Sequence, residues 1–273
     1  MQEVRGSIPR SSTKFKKPQS TDYGFFRFKP SLVFFTFGAH NEANSNETVF
    51  MEHFDHIFAR ACARHGGEAA LRRLIATPVL GPAELAAIPD DRWLSSFTMS
   101  LFQSGFVWRV IRDKWPDFER AFFGFDPHKM LLLDEHHLER LNHDPSIVRH
   151  AKKIAAVPVN AQMVLTLGRE HGGFGAFVAN WPTTDMVGLW QQIRRHGRLL
   201  GGNIAPYALR RLGVDTFLFT GDVGGYLQHH GVVDAALGSK KGMSQAQAAF
   251  NTWREQSGLS LSEISKTLAF SIG

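Results

Sequence analysis

From Met51 onward, apolar residues recur at spacings of three and four along nearly the whole chain. This spacing places them on one face of an α-helix. It is clear over residues 147–155, 186–193, 244–253 and 260–270. No stretch shows the period-two alternation that a half-buried strand requires. The pattern therefore predicts an all-α fold of roughly ten short helices.

One segment, residues 99–111, is apolar nearly all round. Such a segment is predicted to be a buried central helix, because a surface helix keeps a polar face. Helix starts are expected where a capping carboxylate or a first-turn proline precedes an apolar stripe. These starts are predicted at Asp90 or Asp91, Pro116, Asp126 and Asp134.

Residues 1–50 differ from the rest of the chain. They are rich in Ser, Pro, Lys and Arg and lack helical periodicity. Seven Lys or Arg against four Asp or Glu give them a net charge of +3, half of the total of +6. We expect a disordered extension or a misassigned start with Met51 as the true initiator. A basic arm that grips DNA is the functional alternative. Residues 51–273 are expected to form one domain.

Length and composition narrow the possible classes of protein. A chain of 273 residues can bury one core or form two small lobes. The net charge of +6 fits a polyanionic partner such as nucleic acid. With Cys62 as the single cysteine, no internal disulfide or CxxC zinc site can form. No apolar run approaches a membrane span. We expect a cytoplasmic protein without a cofactor, a metal or a membrane contact.

A short link between two predicted helices is rich in glycine. One helix ends at residues 194–196, and Gly201 and Gly202 precede the next helix at Ile204. Glycines let the backbone approach a ligand closely, and the first amides of a helix attract phosphate. The flanking arginines would add counter-charge; they are Arg194, Arg195, Arg198, Arg210 and Arg211. The link is predicted to hold one DNA backbone; a plain turn with a solvated basic face is the alternative.

Two further features suggest a cleft. Asp222 follows Gly202 by twenty residues, at the start of a predicted helix. Its carboxylate is either presented at a cleft or serves as an N-cap. Ser100, Gln103 and Ser104 share one face of the central helix. Polar residues there either line a cavity or mark a surface-exposed face, because buried polar groups need partners.

Several strings in this order resemble a known family. The segment from Gly202 to Asp222 is similar to the hairpin-to-aspartate segment of helix-hairpin-helix DNA glycosylases. A larger block, about residues 95–210, resembles the bacterial DNA-3-methyladenine glycosylase I family. The strings that carry it are Gln-Ser-Gly-Phe-Val-Trp at 103–108, Phe-Asp-Pro at 125–127, Leu-Glu-Arg-Leu at 138–141, Ile-Val-Arg-His at 147–150, and Tyr207.

The resemblance implies a helix-hairpin-helix glycosylase fold in two lobes and excision of alkylated purines from double-stranded DNA. It implies that Asp222 is the catalytic acid and that Trp108 stacks on the base, although core packing is the alternative for Trp108. The other base-binding residues expected are Ser100, Gln103, Phe102 and Tyr207. The DNA-binding residues expected are Gly201, Gly202, Asn203, Arg194, Arg195 and Arg198.

The sequence also departs from the family. Ser100 stands where the family has a glutamate in its base pocket, and no cysteine follows Cys62 to build the family's zinc site. No lysine occurs between Lys153 and Lys240, so a Schiff-base nucleophile is absent from the hairpin. We expect a monomeric, monofunctional enzyme. A non-catalytic helix-hairpin-helix DNA-binding protein, or an unrelated all-α protein, is the alternative.

Overall fold

The structure is a computed structural model that describes residues 51–272. The expectations for residues 1–50 lie outside that range. Sixteen α-helices and one 3₁₀ turn, with no strand, make up the described part. The all-α prediction is confirmed. The helices outnumber the ten expected because five of them span six residues or fewer, too short to leave a periodic trace in the sequence.

In chain order the helices are α1 (Phe54–Arg64), α2 (Glu68–Ile75), α3 (Pro82–Ala86), α4 (Asp90–Gln103), α5 (Trp108–Asp113), α6 (Trp115–Ala121), α7 (Pro127–Met130), α8 (Glu135–His143), α9 (Ala151–Ile154), α10 (Ala156–Gly168), α11 (Phe174–Ala179), α12 (Met186–His196), α13 (Ile204–Arg211), α14 (Gly221–His229), α15 (Lys240–Ser257) and α16 (Leu261–Ser271). The 3₁₀ turn at Phe123–Phe125 lies between α6 and α7.

Contacts between the described helices fall into two groups within one compact unit. In the first group, α4 packs on α10, α11 and α13, and α3 packs on α11. In the second group, α16 packs on α1, α2, α14 and α15. Helix α12 contacts α10, α13 and α15 and so joins the groups. One hydrophobic cluster continues through both of them.

Helix α4 forms the centre of the first group, but its start differs from the prediction. Pro89 is its N-cap, so neither Asp90 nor Asp91 caps it. Asp90 instead accepts a hydrogen bond from the amide of Phe174, at 2.8 Å, and thereby holds the start of α11. The ring of Phe174 also packs edge-on against Trp93. The carboxylate expected to start one helix therefore fastens a second helix to it.

The prediction of one continuous helix over residues 99–111 is wrong. Helix α4 ends at Gln103 and α5 begins at Trp108. Gly105, in the link, has φ +77°, a left-handed conformation that favours glycine. Lys153 Nζ donates to the carbonyl oxygen of Ser104 at 2.5 Å and fixes the link to α9. The link is exposed, so its apolar residues mark a surface and not a core.

Other predicted helix starts are confirmed. Asp126 accepts from the amides of His128 and Lys129 at the start of α7. Asp134 accepts from the amide of His137 at the start of α8. Pro116 lies in the first turn of α6. The first turn of a helix leaves amides without partners. Asp126 and Asp134 accept hydrogen bonds from such amides, and Pro116 has no N–H that would need a partner.

The extended segment between α13 and α14 is buried against α16. Asp215 accepts from the amides of Leu261 at 3.0 Å and Ser262 at 2.9 Å, so its carboxylate satisfies the start of α16. Ser262 Oγ donates to the carbonyl oxygen of Thr216 at 3.0 Å. Helix α16 thereby holds the path of the chain that leads from the hairpin helix α13 to Asp222.

We predict that Asp215→Ala lowers the free energy of unfolding by about 1.5–3 kcal/mol, because two amides lose a charged acceptor in a buried position. Urea unfolding monitored by circular dichroism measures this. The matched control is Asp234→Ala, which removes an exposed carboxylate bonded to Lys241. Its expected cost is within about 0.5 kcal/mol. Equal costs for the two substitutions would contradict the role given to Asp215.

Candidate functional site

A cavity of about 260 Å³ lies where the end of α4, the start of α5 and the link before α13 meet. Its walls are Ser100, Gln103, Ser104, Trp108, Gly201, Gly202, Asn203, Ile204 and Tyr207. Seven of these nine residues are among those expected to bind a base or DNA. The structure therefore brings most of the predicted site together. A larger hollow of about 440 Å³ beside Arg92 is lined by one arginine that flanks the predicted DNA-binding link, Arg211, and by none of the expected base-binding residues.

Two aromatic rings form one wall of the cavity. Trp108 and Tyr207 pack edge to face, with ring centroids 5.2 Å apart. Trp108 is 43% exposed, so the alternative that it packs in the core is wrong. Phe102, also expected to bind a base, is fully buried and packs against Phe118 with centroids 4.7 Å apart. That prediction is wrong because Phe102 lies on the face of α4 turned toward the core.

The guanidinium of Arg211, at the end of α13, reaches the polar stripe of α4. Nη1 donates to the carbonyl oxygen of Ser96 at 3.1 Å and to Ser100 Oγ at 3.0 Å. Nη2 donates to Gln103 Oε1 at 2.6 Å. Removal of this guanidinium from water lowers its pKa. Arg211 therefore organises the wall of the cavity, and its expected role as a counter-charge to phosphate is wrong.

Arg210 also turns inward instead of toward a phosphate. Its guanidinium donates to the carbonyl oxygen of Thr216 through Nε, at 3.2 Å, and through Nη2. Burial lowers its pKa to about 10. The three remaining arginines, Arg194, Arg195 and Arg198, are exposed at the end of α12 and in the link that follows.

The link from Gly197 to Asn203 is clamped at its base. Asn160, buried on α10, accepts from the amide of Arg198 at 2.7 Å and donates to the carbonyl oxygen of Arg198 at 3.3 Å. Gly202 has φ +59°, which explains a glycine there. Asn160 was not among the residues predicted from the sequence. Its signal was a polar residue inside the apolar run of α10, where a buried amide needs partners.

Asn203 connects the link to the segment that leads to Asp222. Its side chain donates to the carbonyl oxygen of Phe219 at 2.6 Å and accepts from the Phe219 amide at 3.0 Å. It makes no capping bond to α13. Of the first-turn amides of α13, however, that of Ile204 donates to the carbonyl oxygen of Gly201 and that of Tyr207 to the carbonyl oxygen of Asn203, and Pro206 has no N–H. This helix start therefore offers an anion fewer free amides than expected.

Asp222 is exposed and is the second residue of α14. The N-cap of α14 is Thr220, whose Oγ1 accepts from the amide of Val223, so the alternative that Asp222 is the cap is wrong. Asp222 follows Phe219 by three residues but is not part of the cavity wall. Its role in catalysis stays a prediction.

Within residues 51–272, no group of three or more His, Cys, Asp or Glu is placed to hold a metal ion. These residues therefore do not fit the zinc site that the resemblance implies. None of the described helices combines the length and the apolar character needed to cross a lipid bilayer.

Comparison with known proteins gives three kinds of similarity. The model of the methyladenine glycosylase family matches residues 86–235. DNA-3-methyladenine glycosylase 1 of Escherichia coli (strain K12) is 34% identical over 76 residues, which are 28% of this chain and 41% of that protein. The alignment thus spans less than half of the curated relative.

Solved structures of similar proteins include 3-methyladenine DNA glycosylase I of Staphylococcus aureus. It is 20% identical with a TM-score of 0.43, over 60% of this chain and 95% of that one. A second 3-methyladenine DNA glycosylase I is 22% identical with a TM-score of 0.40, over 46% and 79%. The family assignment rests on the family model and not on these superpositions.

We predict that Asn203→Ala accelerates hydrogen exchange of the Phe219 amide and lowers the free energy of unfolding by about 1–3 kcal/mol, since two hydrogen bonds are lost. Exchange followed by NMR measures the first effect. Asn251→Ala is the control, because it also removes two hydrogen bonds, one to the carbonyl oxygen of Thr184 and one from Gln247, and neither involves Phe219. Unchanged exchange at Phe219 in Asn203→Ala would show that Asn203 does not hold this segment.

Proposed function

The chain belongs to the methyladenine glycosylase family, and from this premise we propose that it hydrolyses the N-glycosidic bond of alkylated purines of the 3-methyladenine type in double-stranded DNA. The observation that carries the proposal is the cavity, in which an exposed indole and a polar helix face lie beside a helix-hairpin-helix link. An enzyme that acts on a base must take it out of the stack into such a pocket.

In this proposal the flipped base enters the cavity and stacks on Trp108. An alkylated purine nucleotide carries positive charge, and a cation over an indole face gains about 1–2 kcal/mol beyond the burial of its area. Tyr207, packed edge-on at 5.2 Å, holds the indole in place. The positive charge also makes the base a good leaving group, so the enzyme needs little acid catalysis at the base.

The bond between the base nitrogen and C1′ of the sugar breaks first, and its electron pair stays with the base. The alkylated base leaves neutral without taking a proton. The oxygen of a water molecule bonds to C1′, and the proton that water loses passes to Asp222 and then to solvent. The Asp222 carboxylate also stabilises the positive charge that develops on the sugar. The product is an abasic site, and the backbone stays intact because the hairpin offers no lysine.

The DNA backbone would lie against Gly202 and the link that precedes α13. Arg194, Arg195 and Arg198 supply counter-charge beside that helix start. Duplex DNA with alkylated bases as the partner, a monomeric enzyme and a cytoplasmic location complete the proposal.

We predict that Asp222→Asn slows single-turnover release of base from methylated DNA by at least about 100-fold, because the sugar cation loses its carboxylate. Chromatography of the released bases measures this. The matched control is Asp55→Asn. Asp55 is likewise an exposed carboxylate at the second residue of a helix, α1, so it reproduces the effect on the helix end and should leave the rate unchanged.

Two results would contradict this account. A rate for Asp222→Asn equal to that of the wild type would remove Asp222 from the mechanism but leave the glycosylase activity in place. A folded wild type that binds DNA but releases no base from DNA carrying a panel of damaged bases would contradict the proposed glycosylase activity. It would favour a non-catalytic helix-hairpin-helix DNA-binding protein.

We predict that Arg198→Ala weakens DNA binding. It should also reduce the magnitude of the negative slope of the log association constant against log salt concentration by about one, because one phosphate contact is lost. Asn160 binds only the main chain of Arg198, so the substitution should not change the conformation of the link. Fluorescence anisotropy at several salt concentrations measures the slope. Arg73→Ala, at an exposed residue of α2, is the control. Identical salt slopes for Arg198→Ala and Arg73→Ala would show that Arg198 does not contact a DNA phosphate.

A further inference from the structure

The segment that leads into α9 runs beside α5, on the side of the cavity that Trp108 forms. Lys114, directly after α5, donates through Nζ to the carbonyl oxygen of Ser146 at 2.8 Å. Lys153 donates through Nζ to the carbonyl oxygen of Ser104, before α5, at 2.5 Å. Between these two ties, the rings of Phe106 and His150 pack edge to face, with centroids 6.3 Å apart. Residues 146–153 therefore run antiparallel to residues 104–114.

Four basic residues are exposed on these two segments. They are Arg109 and Arg112 of α5, Arg149, and Lys152 of α9, and we call them the α5 patch. None of their charged groups has a hydrogen bond or an ion pair with another residue of the described part. Arg112 follows Trp108 by four residues in the same helix, so the two residues share a face, with Cβ atoms about 5–6 Å apart. The patch thus begins beside the cavity wall.

The sequence around the cavity carries charge of a single sign. Residues 92–112, 145–169 and 186–214 contain twelve Lys or Arg and no Asp or Glu. They include the cavity wall, the α5 patch and the hairpin. The carboxylates closest to the patch along the chain are Asp113, which is exposed, and Asp144, which accepts from the amide and the hydroxyl of Ser146. The four cations of the patch outnumber them.

Exposed cations elsewhere in the described part are paired with acids. Arg72 binds Glu68, Arg120 binds Asp117, and Lys241 binds Asp234; the N–O distances of the first and last pairs are both 2.7 Å. The α5 patch lacks such partners. Like charges that are grouped without partners repel one another, and a polyanion that binds them would offset this repulsion. A phosphate backbone has the repeated negative charge that such a surface fits.

The α5 patch and the hairpin arginines approach the cavity from two directions. The rings of Trp108 in α5 and Tyr207 in α13 meet between them. Lys153 holds the link before α5, and Asn160, seven residues later, holds the link before α13. At 1.5 Å per helical residue, about 10 Å separates these two points. Phosphates recur about every 3.4 Å along one strand of a duplex, so the two surfaces can meet different phosphates.

We propose that the α5 patch is a second binding surface for the DNA backbone, so that a duplex is held on both sides of the cavity and not by the hairpin alone. The inference rests on the proposed function, because it takes DNA to be the partner. Contacts with phosphates carry no sequence information, so the patch fixes the position of the duplex and does not select its sequence. Contacts on both sides also help to offset the cost of unstacking the base between them.

The test is fluorescence anisotropy of the full-length protein with an undamaged duplex at several salt concentrations. Arg112→Ala combined with Lys152→Ala is expected to reduce the magnitude of the negative slope of the log association constant against log salt concentration by about two, for two lost phosphate contacts. The matched control combines Arg73→Ala and Lys240→Ala. It removes the same charge from exposed residues of α2 and α15 and is expected to leave the slope unchanged.

A triple variant tests whether the two surfaces act separately. Addition of Arg198→Ala to Arg112→Ala and Lys152→Ala is expected to reduce the magnitude of the slope by about three, because contacts with different phosphates add. A triple variant with the same slope as Arg112→Ala and Lys152→Ala would overturn the inference, since the patch and the hairpin would then serve the same phosphates. An unchanged slope in the double variant would also overturn it.

The outcomes separate this inference from the proposed activity, because binding of an undamaged duplex requires no bond cleavage. A protein that releases methylated bases but keeps its salt slope in the double variant would retain the activity without the second surface. A reduced slope in a protein that releases no base would support the inference and contradict the activity. Circular dichroism confirms that each variant is folded. If Arg112→Ala with Lys152→Ala is not folded, Arg109→Ala with Arg149→Ala decides the question.

Discussion

The hydrogen bonds between Arg211 and helix α4 are the interaction on which the site depends. One guanidinium joins the end of the hairpin helix to a carbonyl oxygen, a hydroxyl and an amide of the central helix. Ser96 Oγ adds a bond to the carbonyl oxygen of Ala208, at 2.8 Å, between the same two helices. Buried polar groups must find partners. These bonds therefore fix both the spacing of α4 and α13 and the orientation of the Ser100 and Gln103 side chains.

A second set of polar contacts holds the chain in place between the hairpin and Asp222. Asn160 holds the link before α13, and Asn203 joins that link to the main chain of Phe219. Asp215 ties the preceding part of the segment to the start of α16. Each contact is made by a short side chain to the main chain, which leaves little rotamer freedom. In this way a carboxylate on the second group of helices is positioned relative to a pocket built on the first group.

Sequence reasoning was accurate where local chemistry decides the structure. The end of α12, the start of α13, the caps at Asp126 and Asp134, and the polar stripe of Ser100 and Gln103 follow from residues within a few positions of one another. It was wrong where a distant partner decides. The break before Trp108 depends on Lys153, and the direction of Arg211 depends on α4. Periodicity placed Phe102 on a buried helix but did not show which neighbour it meets, and that neighbour is Phe118.

The most direct test of this account is a crystal structure of the protein with 3-methyladenine bound. The account predicts that the purine ring lies in the cavity lined by Ser100 and Gln103 and stacks on Trp108. Arg211 should keep its bonds to Gln103 and Ser100. A base bound outside this cavity would contradict the account.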